Sequence, residues 1–192
     1  MSPGHVAPLR AVLADRPATW GIAAVLGGSL LIAASSWISA PMYPVPMTLQ
    51  TLAVLLVAGL AGARLAAANV ITWLALAAIG LPLLADGGGG LEHFSGPTAG
   101  YLAGMVIAAF VCGWLTEKPV MRGWIAMSLV FLVGHVIILG AGWMRLAALI
   151  GAESAWEDGV APFLVGMVLK SALAVVLVKL AEPWMRRVVT VD

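Results

Sequence analysis

A single lysine, Lys170, interrupts an apolar run near the end of the sequence, in the stretch GMVLKSALAVVL. An ammonium group among apolar residues needs an anion, or several hydrogen-bond acceptors, to offset its loss of water. Lys170 therefore has two interpretations. It is either an anion-binding residue or a structural lysine, neutral or bonded to backbone carbonyls. The structural elements around Lys170 decide between these two interpretations.

The composition predicts that these elements are membrane-spanning helices. Hydrophobic residues make up 62% of the 192 residues and charged residues only 10%, whereas soluble domains carry about 25% charged residues. We therefore expect an all-α integral membrane protein, a single bundle of six transmembrane helices over residues 1–192. Apolar runs bounded by polar residues, proline or glycine place the spans at residues 20–38, 48–61, 65–81, 99–115, 125–141 and 160–180.

Basic residues are distributed unequally between the two sides of these spans. The positive-inside rule places the richer side, and with it both termini, in the cytoplasm. The alternative for the N-terminus is a cleaved signal peptide, but the first apolar run is longer than the core of such a peptide. The richer side contains Arg10, Arg16, Arg64, Lys118, Arg122, Lys179, Arg186 and Arg187, and the other side contains Arg145 with five acidic residues.

Lys170 lies ten residues from either end of the sixth predicted span, which is about 15 Å from each interface. Its side chain reaches only about 6 Å and cannot bring the ammonium group to bulk water. Charges at such depth usually face a bundle interior or a wet cavity. Since no predicted span contains Asp or Glu, we expect a ligand or an acidic loop residue to supply the opposite charge. The second and third spans are short, which predicts a hollow beside them.

Two stretches on the predicted outer side carry further candidate ligand-binding residues. In PMYPVPMTLQT, three prolines favour an extended path that leads to Gln50, whose amide can serve a cavity. In residues 85–101, four consecutive glycines permit either close approach to a ligand or a flexible linker. The same stretch contains Asp86, which can accept hydrogen bonds from a ligand, and Tyr101, which can stack or donate.

The motifs that the sequence lacks disfavour several functions. It contains no His-Glu-x-x-His, no Gly-x-Ser-x-Gly and no paired carboxylates within a span, so we expect neither an enzyme nor a metal site. The glycine run is not followed by the Lys-Ser/Thr pair of a P-loop, and no basic patch indicates nucleic acid. A proton-coupled secondary transporter would normally carry an acidic residue within a span. His135, alone in the fifth span, is interpreted as a hydrogen-bonded packing residue.

The first predicted span contains two pairs of small residues spaced four apart, Ala23 with Gly27 and Ala24 with Gly28. Such pairs allow the backbones of two transmembrane helices to approach closely. They predict a helical membrane partner.

The blocks PVPMTLQT and GPTAGY, together with a final span that contains a lysine, resemble the biotin-specific S component of energy-coupling-factor (ECF) transporters. The similarity runs from about residue 24 to residue 180. It implies a six-helix subunit of the bacterial cytoplasmic membrane that binds biotin near the outer face. It also implies partners, namely a transmembrane coupling subunit that docks on the small residues of the first helix and two cytoplasmic ATPase subunits. No cofactor is expected in this chain.

The resemblance also implies roles for individual residues. Biotin has a ureido ring, an apolar thioether ring and an anionic tail, and a largely dry pocket must satisfy its polar groups. We expect Lys170 to pair with the carboxylate, Asp86 and Gln50 to face the ureido group, and apolar walls to come from Tyr101, Met167 and Trp143. The reversed orientation of the ligand is an alternative.

In one respect the sequence departs from the family. Relatives usually have an aspartate three residues before the lysine, and this chain has Met167 there. Lys170 therefore lacks an acidic partner one turn away on its own helix. Asp86 stands where an asparagine or another small polar residue is expected. An S component for another small vitamin and a standalone secondary transporter remain as alternative functions.

Overall fold

The computed structural model describes residues 8–13 and 16–190, and most of them are helical. A two-stranded antiparallel hairpin of β1 (Ser39–Ala40) and β2 (Met47–Thr48) joins the second and third helices. The side chains of Arg10, Arg186 and Arg187, which belong to the predicted basic set, lie outside the described part. The described residues form eight α-helices, namely α1 (Pro8–Leu13), α2 (Ala18–Ser36), α3 (Gln50–Ala61), α4 (Ala63–Ala78), α5 (Ala99–Thr116), α6 (Trp124–Ile150), α7 (Ala152–Gly159) and α8 (Phe163–Thr190).

Four of the described helices are long and apolar enough to cross a membrane, namely α2, α5, α6 and the Phe163–Met185 part of α8. The apolar helices α3 and α4 are shorter, with 12 and 16 residues. At 1.5 Å per residue they extend about 18 and 24 Å, less than the roughly 30 Å of a hydrocarbon core. The predicted shortness of the second and third spans is therefore confirmed. A count of six full spans stays a prediction.

The structure differs from the predicted spans most clearly at α6. The fifth span was expected to end at Ala141, but the helix continues to Ile150, and α7 follows after Gly151, whose φ is 90°. The physical reason is that Gly140, which marked the predicted boundary, costs a helix only about 1 kcal/mol relative to alanine. A single glycine weakens a helix without ending it, and the residues after it are good helix formers.

The core lies around α5, which contacts α3, α4 and α6. Its glycines allow backbones to approach where a methyl group would not fit. A Cβ atom at Gly113 would lie 2.6 Å from the backbone nitrogen of Ala63, beside the turn between α3 and α4. Gly62 makes that turn with φ 78°, a conformation that favours glycine.

A polar cluster ties the helices together at the end of the bundle where α3, α5 and α8 finish. The guanidinium group of Arg122 donates to the Thr116 carbonyl at 3.0 Å and forms a salt bridge with Glu182 of α8. Lys179 lies 3.5 Å from the same carboxylate and donates to the Arg122 carbonyl. A carboxylate oxygen of Glu117 accepts the backbone N–H of Ala63 at 3.2 Å. The turns at this end are thus connected by charged groups.

The contact at Gly113 leads to a test with a matched substitution in α6. We expect Gly113→Ala to lower the free energy of unfolding by about 1–3 kcal/mol, because the added methyl group meets backbone atoms that cannot rotate away. Gly140→Ala should leave stability unchanged or raise it by about 1 kcal/mol, since nothing lies within 4 Å of its Cβ position. Thermal unfolding in detergent measures both. Equal effects of the two substitutions would contradict this account of the packing.

Candidate functional site

A cavity of about 450 Å³ lies at the end of the bundle where α3, α5 and α8 begin. Its walls come from the β1–β2 hairpin, the first turns of these three helices, the middle of α6 and the segment between α4 and α5. The volume falls within the range of about 300–1,000 Å³ that is typical of small-molecule sites. The short α3 leaves this space open, because the helix begins only at Gln50.

Lys170 lies on the wall of the cavity, in the second turn of α8. Its ammonium group donates to the backbone carbonyl of Thr48 at 2.6 Å. Within residues 8–13 and 16–190 it forms no salt bridge. The backbone bond satisfies one of the three donors of the ammonium group, and the cavity is where the others can find a partner. The backbone bond agrees with the structural interpretation of Lys170, and the anion-binding interpretation stays a prediction for a lysine that faces an open cavity.

Gln50 is buried in the cavity wall. The Thr48 hydroxyl donates to its side-chain oxygen at 3.1 Å and accepts its backbone N–H at 3.3 Å. This arrangement fixes the side-chain oxygen and leaves the amide NH₂ group as the donor that it can offer to a ligand.

Asp86 also lines the cavity, and it is exposed. It adopts the left-handed conformation with φ 55°, which aspartate and asparagine tolerate better than most residues. The Ser39 hydroxyl donates to its carboxylate at 2.8 Å and so links it to the hairpin. The second oxygen of the carboxylate remains available as an acceptor.

The glycine-rich segment folds mainly against the protein itself. The N–H of Gly90 donates to the Ala77 carbonyl at 2.8 Å, and a Cβ atom at Gly89 would lie 2.3 Å from the Leu81 carbonyl oxygen. Of the four glycines, only Gly88 lines the cavity. The run therefore serves close packing onto the end of α4, an interpretation different from both a flexible linker and a ligand cradle.

Hydrogen bonds from three helices anchor this segment. The Leu83 carbonyl accepts from the indole of Trp73 in α4 at 2.9 Å and lies 2.8 Å from the hydroxyl of Ser36 in α2. Arg145 of α6 donates to the carbonyl of Ser95 and is 3.5 Å from that of Gly96. The cavity wall is consequently held by the helices that surround it.

Tyr101 and Met167 line the cavity, but Trp143 does not. The Tyr101 hydroxyl donates to the Gly159 carbonyl at 2.8 Å, so its ring rather than its hydroxyl is available to a ligand. The indole of Trp143 donates to the Ala152 carbonyl at 3.2 Å, at the junction of α6 and α7. Because α6 continues past the predicted boundary, Trp143 packs toward α7, and the structure does not bring it to the site.

Sequence reasoning missed several polar residues of the cavity wall, among them Thr51 and His135. His135 is buried, and its ring nitrogens lie 3.1 Å from the Thr51 hydroxyl and 2.9 Å from the Ser171 hydroxyl. The interpretation of His135 as a hydrogen-bonded residue is thus correct, although its place on the cavity was not foreseen. The signal in the sequence was that Thr51, His135 and Ser171 are polar residues within apolar predicted spans.

The charges of the site are arranged unevenly. Lys170 stands on the α8 wall, whereas the carboxylates of Asp86 and Glu92 stand on the segment between α4 and α5. The N-termini of α3, α5 and α8 all meet the cavity and add positive potential there. The arrangement suits a small amphiphilic molecule with an anionic end, an apolar body and N–H donors at the other end.

Comparison with known proteins identifies the family of this chain. Residues 10–187 match the model of the BioY family. The chain belongs to the BioY family. The biotin transporter BioY of Rhizobium etli is 37% identical over 149 residues, which are 73% of this chain and 79% of the relative. The probable biotin transporter BioY of Pyrococcus horikoshii is 35% identical over 147 residues, 77% and 86% of the two chains.

A solved structure shares the fold of this BioY chain. The crystal structure of the S-component for biotin from an ECF-type ABC transporter matches with a TM-score of 0.80 and 25% sequence identity, over 88% of this chain and 94% of that one. The resemblance predicted from the PVPMTLQT and GPTAGY blocks is confirmed in sequence and in fold.

The two pairs of small residues on α2 of this BioY chain have different surroundings. A Cβ atom at Gly28 would lie 2.6 Å from the side chain of Asn69 in α4, so Gly28 packs within the chain, and Ala24 is half-buried. Ala23 and Gly27 are exposed, and nothing lies within 4 Å of the Cβ position at Gly27. Of the two pairs, only Ala23 with Gly27 is free to receive another helix.

The anchoring of the cavity wall by Arg145 leads to a test. We expect Arg145→Gln to speed amide hydrogen exchange in residues 91–98 about tenfold, because hydrogen bonds from a charged donor contribute about 1.5–3 kcal/mol. Arg64→Gln, an exposed arginine at the opposite end of the bundle, is the control and should leave this exchange unchanged. Exchange in this segment that is the same in both variants would show that Arg145 does not hold it.

Proposed function

We propose that this chain is the substrate-binding membrane subunit of a biotin uptake transporter and that it captures biotin in the cavity beside Lys170. One observation carries the proposal. In a member of the BioY family, a lysine within an apolar helix faces an open cavity and has no carboxylate partner among the described residues. An anionic ligand supplies the charge that the chain itself does not place there.

The distribution of charge selects the orientation of the ligand. The biotin carboxylate pairs with Lys170, since the wall formed by the α4–α5 segment carries Asp86 and Glu92 and would repel it. The ureido group lies toward that wall, where Asp86 accepts its N–H groups and the amide of Gln50 donates to its carbonyl. Met167 and the ring of Tyr101 cover the apolar body of the ligand. Trp143 is not assigned to the apolar wall, because it does not line the cavity.

The proposal includes a place for the chain in a larger assembly. It is a subunit of the bacterial cytoplasmic membrane with six spans and both termini in the cytoplasm. A transmembrane coupling subunit docks on Ala23 and Gly27 of α2, where a neighbouring helix can approach closely. Two cytoplasmic ATPase subunits supply the energy, because this sequence contains no P-loop. The similar crystal structure, an S-component from an ECF-type ABC transporter, supports this assignment.

Replacement of Lys170 tests the proposal. We expect Lys170→Met, which retains an unbranched stem without the ammonium group, to raise the Kd for biotin about 10- to 100-fold, since a charged hydrogen bond contributes about 1.5–3 kcal/mol. The Kd for biotinamide, which lacks the negative charge, should change much less. Titration into the purified protein in detergent measures both, with Lys118→Met as a control at the opposite end of the bundle.

The outcomes separate the ligand from the role of the lysine. If Lys170→Met leaves biotin binding intact, biotin remains the proposed ligand, but its carboxylate does not pair with Lys170. A larger loss for biotinamide than for biotin would favour the reversed orientation of the ligand. A folded wild type that does not bind biotin would refute the function and direct the search to other small vitamins.

A further inference from the structure

His135 connects three helices at the wall of the cavity. Its imidazole belongs to α6, its Nε2 atom is 3.1 Å from the Thr51 hydroxyl of α3, and its Nδ1 atom is 2.9 Å from the Ser171 hydroxyl of α8. The residue is only 3% exposed. A polar ring at this depth needs partners for both nitrogens, and two other helices supply them.

These contacts leave His135 with no free polar atom. A neutral imidazole has one N–H donor and one acceptor nitrogen. Thr51 occupies Nε2 and Ser171 occupies Nδ1, and the Phe131 carbonyl of α6 also lies 3.2 Å from Nδ1. Because a carbonyl can only accept, these contacts fit the tautomer that carries its proton on Nδ1. The ring can therefore contribute only its carbon edge to the cavity, which makes His135 unsuited to hydrogen-bond a ligand directly.

The residues that His135 holds stand next to the lysine and its partner. Ser171 follows Lys170 directly in α8, and Thr51 lies three residues after Thr48, whose carbonyl accepts from Lys170. Two polar links thus join the start of α3 to α8, one made by the ammonium group and one through the imidazole. The link through the imidazole fixes the distance between α3 and α8 that the contact of Lys170 with Thr48 requires.

We propose that His135 is a positioning residue, and that its bonds to Thr51 and Ser171 hold α3 and α8 at the spacing that keeps the Lys170 ammonium group beside Thr48 and aimed at the anionic end of the ligand. This inference rests on the proposed function for the identity of the ligand. The link itself is a property of the chain without ligand.

Ser171→Ala is the most direct test, because Ser171 is buried and does not line the cavity. We expect it to raise the Kd for biotin about tenfold through loss of one hydrogen bond and misplacement of the lysine, and to change the Kd for biotinamide less than about twofold. In a Lys170→Met background the same substitution should have no further effect. Ser128→Ala is the matched control, because Ser128 is half-buried and its hydroxyl bonds the Trp124 carbonyl within α6.

A second measurement does not depend on biotin. The rate of reductive methylation of Lys170, followed by mass spectrometry, reports how firmly its ammonium group is held. Ser171→Ala should raise this rate at least about threefold by loosening the contact with Thr48, with the rate at Lys118 unchanged. If Ser171→Ala does not fold, Thr51→Val makes the same test from the other side of the ring.

Different results separate the two proposals. Equal weakening of biotin and biotinamide, or an effect that persists in the Lys170→Met background, would overturn the positioning role. A methylation rate unaffected by Ser171→Ala would overturn it as well. If the folded wild type fails to bind biotin but the methylation rate rises as expected, the positioning role holds and the proposed ligand is wrong.

Discussion

The ammonium group of Lys170 imposes the constraint on which the rest of the site depends. A charge away from bulk water costs several kcal/mol unless hydrogen bonds or an opposite charge offset it. The Thr48 carbonyl, 2.6 Å away, provides part of that compensation. Thr48 is at this position because β2 pairs with β1 and delays the start of α3 until Gln50. The hairpin, the short α3 and the open cavity therefore depend on one another. Together they leave space beside a lysine whose ammonium group still has donors for a ligand.

The segment between α4 and α5 completes the site by a different kind of interaction. Its shape depends on backbone groups, as when the Gly90 N–H bonds the Ala77 carbonyl and the Leu83 carbonyl accepts from the Trp73 indole. Where two backbones approach this closely, only glycine leaves enough space, and this explains the run of four glycines better than mobility does. Asp86 is held within this framework by its bond to Ser39. Acidic groups held on this segment, and Lys170 on α8, give the cavity an uneven charge, which a flexible linker would not maintain.

Much of this arrangement could be predicted from the sequence, and the exceptions have physical reasons. Lys170, Gln50, Asp86, Tyr101 and Met167 come from four separate segments, and the structure brings all of them to one cavity. Their recognition depended on polar residue types in an apolar chain and on a family resemblance. Trp143 could not be placed because a single glycine does not reveal whether a helix ends. His135 could not be assigned to the cavity because periodicity within an apolar span does not identify its tertiary neighbours.

The two ends of the bundle are built for different tasks. α3, α5 and α8 all begin at the cavity, and near their other ends Thr116, Arg122 and Glu182 form a polar cluster. The side chains of Arg122 and Glu182 are only 10% and 12% exposed. To remove one member of such a buried pair by mutation costs about 3–5 kcal/mol, because the other charge is left without a partner, so the two residues depend on each other to hold the turns at this end. A chain that is open to ligand at one end and held by charge at the other can capture a substrate by itself. The proposed dependence on ATPase subunits then concerns release rather than capture.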